Sequence, residues 1–413
     1  MIATAMRKRS AATAVAAMTV AGVVAAITAT GSAAAVPIGP GCPGMYLLGV
    51  QGTGQSSPGA DPLADSGMVG ALIAPVLAAV PDLVQRSYIG YPAGFGGAVP
   101  GGGSAPYAVS VADARRQLDA AVVQIADTCP ATMIAGIGYS QGAQAMSAFA
   151  SDVGAGAGPI GPDRIAGIAL YAHPDRAPDA PTFPGRPGQI TPDPAPGTRG
   201  GAVSSVQITN PPAAGGGIAD GHTGYGALTG RVADICTDGD LACSAPNRAA
   251  LLRVGAEIAA QADLRDPCTA LGSLRGVFSA ALGDAWTAIV LNDFQVRGGN
   301  VDYAPQLALS DRLIEAADPR HSAPTELGAA AARWDEIIAT VAANPIPLLP
   351  KLAAQLSTAW GQLVADNADL VNPGVWLRYA DTVARHTGYA ASGQLNSGIA
   401  WMVALAVDIA GSR

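Results

Sequence analysis

Gly138-Tyr139-Ser140-Gln141-Gly142 sets a serine between two glycines, each two positions away. The pentapeptide follows an apolar run, Ala131 to Gly138, and opens a helical pattern from Gln141 to Ser151. A serine at a sharp strand-to-helix turn stands exposed at the end of a sheet, and small neighbours are what so tight a turn requires. The backbone N–H of the next residue, Gln141, then points from a helix start toward any negative charge that develops on a substrate oxygen. The chemistry this implies is nucleophilic attack by the Ser140 hydroxyl.

Such a hydroxyl needs a base, and the base needs an orienting acid. The chain has four histidines: His173, His222, His321 and His386. Where the serine occupies this kind of turn, the chain order is serine, acid, histidine. His173 and His222 precede the best acid candidates and read as ordinary imidazoles. His321 sits in a helix break, Asp318-Pro319-Arg320-His321-Ser322. His386 lies before a last amphipathic helix, where a base on a loop is expected, and is preferred on order and context. For the acid, Cys236-Thr237-Asp238-Gly239-Asp240-Leu241-Ala242-Cys243 stands out, because two cysteines seven apart suit a small loop clip that would hold a carboxylate rigidly. Asp238 and Asp240 both qualify by spacing, and Asp234 falls in the strand before them.

The elements that must position these groups alternate between strand and helix from residue 44 to about 245. Strands are expected at Met45–Val50, Gln85–Tyr91, Ala131–Gly138, Ile165–Tyr171 and Val203–Ile208, with helices over 63–80, 109–127 and 141–151. Short buried strands separated by helices mean a parallel sheet covered on both faces. Residues 174–200, rich in Pro and Gly, read as a long surface loop. From about 246 to 380 the pattern is helical throughout, at 247–263, 270–291, 307–316, 324–342 and 347–366, and four of the five tryptophans lie there.

Charged residues make up 13% of the chain and the net charge is −8, which argues against a nucleic-acid partner. Arg7-Lys8-Arg9, an apolar stretch over 11–29 and small residues up to Ala35 read as a secretory signal cut after Ala35. No later run of 18 clean apolar residues is apparent, so no membrane-spanning helix is expected. An exported chain can form disulfides. Cys42 could be joined to Cys129, just before a strand, which leaves Cys268 odd. No cysteine pair has the spacing of a structural zinc site and no cofactor is expected.

The chain resembles the cutinase family of serine esterases, in particular cutinase-like proteins exported by actinobacteria. The resemblance rests on Gln51-Gly52-Thr53-Gly54, Gly90-Tyr91-Pro92-Ala93, the Ser140 pentapeptide, Gly239-Asp240-Leu241 within Cys236 to Cys243, and His386-x-x-Tyr389. It implies an α/β-hydrolase fold, a three-layer sandwich around a central parallel sheet. It implies Ser140 as nucleophile, Asp240 as acid and His386 as base. Thr53 and Gln141 become the oxyanion donors, and the bridges become Cys42–Cys129 and Cys236–Cys243. The departure from the family is the 145 residues between Asp240 and His386. The expected organisation is therefore a signal at 1–35, a hydrolase domain from 36–245 and 381–413, and a helical insertion or cap at 246–380.

These readings point to a secreted or envelope-associated esterase that hydrolyses lipid, cutin-like or other acyl esters through an acyl-enzyme. Two alternatives are an envelope acyltransferase with the same triad, favoured if the insertion excludes water, and a non-catalytic envelope protein on the same scaffold. Partners are an ester or lipid substrate and a lipid interface or the cell envelope. The tryptophan-bearing helices are candidates for an acyl or lipid contact surface.

Overall fold

The structure is a computed structural model, described for residues 35–219, 221, 224–321 and 326–412. The expected signal therefore lies, except for Ala35, outside the described residues, as does His222. Five strands, β1 (Met45–Val50), β2 (Val84–Tyr88), β3 (Met133–Tyr139), β4 (Ile165–Tyr171) and β5 (Val232–Ile235), form one sheet in the order β2-β1-β3-β4-β5. Every pairing in it is parallel. This is the doubly wound order, whose winding along the sheet reverses between β1 and β3 and leaves a crevice at their carboxyl ends.

Strand alternation sorts the side chains into two cores. Met45 and Leu47 of β1 join one cluster with helix α1 (Gly67–Ala79) and the C-terminal helix, α11 (Gln394–Ala410). Tyr46, Leu48 and Val50 face the other, against α2 (Tyr107–Thr128) and α3 (Gln141–Gly154). Trp401 of α11 is fully buried and meets the Phe183 ring edge-on at 6.0 Å. Burying each such side chain contributes about 1.5–3 kcal/mol. This is the three-layer α/β sandwich expected from the sequence.

Four details differ from the sequence reading. Val203–Ile208 is not a strand: it begins as one short 3-10 turn, Val203–Ser205, and β5 takes the place beside β4. The proline-rich 174–200 segment has no regular structure, yet it buries Phe183 completely. The insertion is not wholly helical. Its helices are α4 (Ala250–Gln261), α5 (Pro267–Ala288), α6 (Leu309–Ala317), α7 (Leu327–Ala343), α8 (Pro345–Ala365) and α9 (Pro373–Leu377). A two-stranded antiparallel hairpin of β6 (Phe294–Arg297) and β7 (Asn300–Tyr303), turning at Gly298 and Gly299, interrupts them. Finally, Pro267–Asp293 is long and apolar enough, by length and composition, to cross a membrane. In this fold it includes α5, which packs on α4 and α6 and carries Arg275 and Asp284.

Two disulfides are present, Cys42–Cys129 and Cys236–Cys243, and Cys268 is free and exposed. Closure entropy grows with the logarithm of loop length, and the separations are 87 and 7 residues. Replacing the first pair by serine is expected to cost about 4–5 kcal/mol and replacing the second about 2 kcal/mol. Guanidinium unfolding of both variants checks that order, and the reverse order would show that closure entropy is not the main contribution of these bridges.

Candidate active site

The β3–α3 turn carries Ser140 at φ 53° and ψ −120°, a conformation that side-chain-bearing residues adopt only under strain. Surrounding contacts hold it there. The Ser140 N–H donates to the Tyr171 carbonyl at 2.8 Å, and the Ser140 carbonyl accepts from Gln144 N–H at 3.1 Å. Gly142 is obligatory for packing: a Cβ there would lie 2.2 Å from the Val50 carbonyl oxygen, so only glycine lets α3 start against the end of β1. The Gln141 side chain is buried and its Nε2 donates to the Gly94 carbonyl at 2.9 Å, tying the helix start to the loop before α2.

Ser140 Oγ lies 3.0 Å from His386 Nε2. His386 Nδ1 lies 2.9 and 3.0 Å from the two carboxylate oxygens of Asp240. A carboxylate only accepts, so a neutral His386 carries its proton on Nδ1 and presents the Nε2 lone pair to the serine hydroxyl. Asp240 is fully buried. It also accepts from Ala242 N–H at 3.0 Å and from the Tyr389 hydroxyl at 2.8 Å. Burial, reinforced by the Asp240 carboxylate, pushes the Tyr389 hydroxyl well above its ordinary value, so it remains a donor. The Tyr139 hydroxyl donates to the His386 carbonyl at 2.8 Å, and its ring lies 5.2 Å from the imidazole. His386 belongs to a short helix, α10 (Thr382–Thr387), rather than to the loop expected before the last helix.

The other candidates lie elsewhere. The Asp238 carboxylate takes Arg378 Nη2 at 2.5 Å and Ala214 N–H at 3.0 Å. Asp234 and His173 form a separate buried pair, Oδ2 to Nδ1 at 2.9 Å. His321 pairs with Asp318 at 3.0 Å and lines another cavity of about 460 Å³, within the insertion.

A cleft of about 650 Å³ opens beside Ser140 and His386. Thr53, from the turn after β1, lines it next to Ser140. That turn is fixed by Gly54 N–H donating to the Ala93 carbonyl at 2.9 Å and the Tyr91 hydroxyl donating to the Gln51 carbonyl at 2.6 Å. Gln141 follows the serine directly at the start of α3, and Thr53 shares the cleft with it. The opposite wall comes from the insertion: Ala256, Glu257 and Ala260 of α4, with Pro319 and Arg320. None of the five tryptophans lines the cleft; Trp286 and Trp334 instead pack edge-on at 4.8 Å.

Arg320 fastens this wall to the sheet side. Its Nη1 lies 3.0 Å from buried Asp175, its Nε 2.8 Å from Asp318, and its Nη2 3.6 Å from Glu257. Burial disfavours its charge, yet the Asp318, Asp175 and Glu257 carboxylates outweigh that and raise the guanidinium above its ordinary value. Sequence reasoning missed this residue. Its one signal is a cation beside the helix-breaking Pro319.

Residues 41–252, about half of the chain, match the family model described as Cutinase. A protein named carboxylesterase Culp6 homolog, from Corynebacterium glutamicum, is 34% identical over 123 residues, 29% of this chain and 37% of that protein's length. The match thus spans little more than a third of that relative. Among solved structures, the catalytic core domain of acetyl xylan esterase from Trichoderma reesei is 20% identical, with 57% of this chain and 99% of that one covered and a TM-score of 0.33. Trichoderma reesei cutinase in complex with a phosphonate inhibitor is 14% identical, with 56% and 77% covered and a TM-score of 0.28.

The strain at residue 140 is testable without any substrate. Ser140→Gly is expected to be about 1 kcal/mol more stable than Ser140→Ala, because glycine adopts the positive φ without penalty. Thermal unfolding of the two variants checks this, and coincident midpoints would show an unstrained turn.

Proposed function

The chain belongs to the cutinase family, and on that premise we propose that it is a carboxylic ester hydrolase working through Ser140, His386 and Asp240. The observation that carries the reading is the unbroken hydrogen-bonded run from Ser140 Oγ through the imidazole to a buried carboxylate. Ser140 attacks the ester carbonyl while His386 Nε2 takes its proton. The imidazolium that forms is stabilised by Asp240, which stays ionised and holds the ring. The N–H groups of Gln141 and Thr53 receive the oxyanion, a contribution typically worth a factor of about 10²–10³ per donor. His386 then protonates the leaving alcohol, and water, activated by the same imidazole, releases the acid.

The substrates are acyl esters with an apolar chain, such as lipid, cutin-like or envelope esters, and the mostly apolar cleft supports this choice. Residues 246–380 act as a cap, since α4 and Arg320 wall the cleft. Secretion is in keeping with two disulfides, which persist in oxidising compartments. A lipid interface is supported by one face of α8. Exposed Ile346, Leu349, Leu356, Trp360 and Val364 fall on one uncharged stripe of α8.

A fluorophosphonate probe tests the activated serine. Intact mass is expected to show one adduct on the wild type and none on Ser140→Ala; an adduct on both would move the nucleophile elsewhere. Ester hydrolysis by His386→Ala is expected to fall at least 10³-fold, whereas His321→Ala keeps most of it. The reverse pattern would reassign the base. Tyr389→Phe removes one donor from the buried Asp240 and is expected to cost about 1–3 kcal/mol of stability, read by denaturant unfolding, with kcat reduced more than KM is changed.

A further inference from the structure

The cleft has a direction. Ser140, Gln144 and Ala148 all line it and stand at i, i+4 and i+8, so it follows one face of α3. Eight residues of helix rise about 12 Å. Ala148 is the one exposed residue between Gln141 and Ala150, because it opens onto this cleft. On the second side, Ala108, Val111, Ala112 and Arg115 of α2 line it at i, i+3, i+4 and i+7. On the third side, Ala256 and Ala260 of α4 line it at i and i+4. Three helices thus line a slot that begins at the serine; most of these positions are small or apolar, and Gln144 donates its amide to Asp175 at 3.1 Å. The two insertion-side charges are paired: Arg320 with Asp318 and Asp175 as well as with Glu257. At the far end Arg115 is held by Asp119 and Asp152, both at 2.9 Å.

Resting on the ester-hydrolase reading, we propose that this slot is an acyl-chain site for straight chains of about eight to ten carbons, and that α4 of the insertion forms one of its three walls. The length follows from geometry. A zigzag chain advances roughly 1.3 Å per methylene, the projection of a 1.5 Å bond, so the 12 Å from Ser140 to Ala148 holds about nine methylenes. The bore follows from the alanines: methyl groups on all three walls leave room for an unbranched chain. A volume of 650 Å³ is in the range of ligand clefts that bury most of their occupant. An acetyl group would leave the slot empty and gain nothing from it. Each methylene buried is worth about a fourfold factor in binding.

The test has two arms. In the first, kcat/KM is measured for p-nitrophenyl acetate, butyrate, octanoate, decanoate and palmitate. It is expected to rise at least tenfold from acetate to octanoate and to level off beyond decanoate. Ala148→Phe on α3 and Ala256→Phe on α4 are each expected to lower the octanoate-to-acetate ratio at least tenfold. The two substitutions lie on separate elements, so if circular dichroism shows one misfolded the other decides. In the second arm, decanoate is titrated calorimetrically into Ser140→Ala, with Ser140→Ala/Ala256→Phe alongside. Decanoate is expected to bind at least tenfold more tightly than butyrate, and the added phenylalanine to abolish the difference. Ester turnover with acetate preferred, and a ratio that neither phenylalanine changes, would overturn the acyl site and leave the hydrolase standing. Decanoate binding sensitive to Ala256→Phe in a protein that hydrolyses no ester would do the opposite.

Discussion

A carboxylate with no exposed surface must find its partners inside the protein, and Asp240 finds two of them in residues that follow it by 146 and 149 positions. An unpaired buried charge costs several kcal/mol, so the chain beyond residue 245 cannot wander freely. It must return to His386 and Tyr389. The return is stitched all along the disulfide clip. Leu241 N–H donates to Thr382 Oγ1, Arg385 donates to the Asp238 carbonyl, and the Tyr379 hydroxyl donates to the Ser244 carbonyl. The clip loop and α10 are therefore one structural unit, although more than a hundred residues separate them in sequence.

That closure governs how the insertion can sit. Its first helix, α4, begins seven residues after Cys243 and packs along α2, beside the cleft. Arg320, far along the insertion, comes back to the same cleft and meets Asp175, which also accepts from Gln144 of α3 at 3.1 Å. A guanidinium bridging three carboxylates at the rim of an apolar space is more than a surface ion pair, because partial burial reduces screening. It ties residues 318–320 to α3 through Asp175 and Gln144. Closing such a space also strengthens every charge interaction within it.

The legible parts of this molecule are those whose physics is local. Met45–Val50 and Ile165–Tyr171 stand as strands within the expected bounds because continuous apolar runs of six or seven residues have few other solutions. The Ser140 turn is legible because tight geometry demands glycine at fixed offsets. Asp240 could not be separated from Asp238 by spacing, since the difference lies in who approaches: Arg378 takes one and His386 the other. Val203–Ile208 has the composition of a strand, but the edge of β4 was already filled by Val232–Ile235. The β6–β7 hairpin has strands of four residues, too short for alternation to register.

What the sequence hides most thoroughly is empty space. Tryptophan draws attention as a contact residue, yet three of the insertion's four find partners within it: Trp286 and Trp334 each other, and Trp376 by donating to the Leu370 carbonyl at 2.9 Å. Seven of the residues that line the cleft are alanines, which in a chain so rich in alanine carry no signal. An alanine on a helix face reads equally well as close helix packing or as the floor of a channel. Only the distance to the opposite wall separates the two, and that distance depends on residues far away in the sequence, such as Glu257 and Arg320 across the cleft.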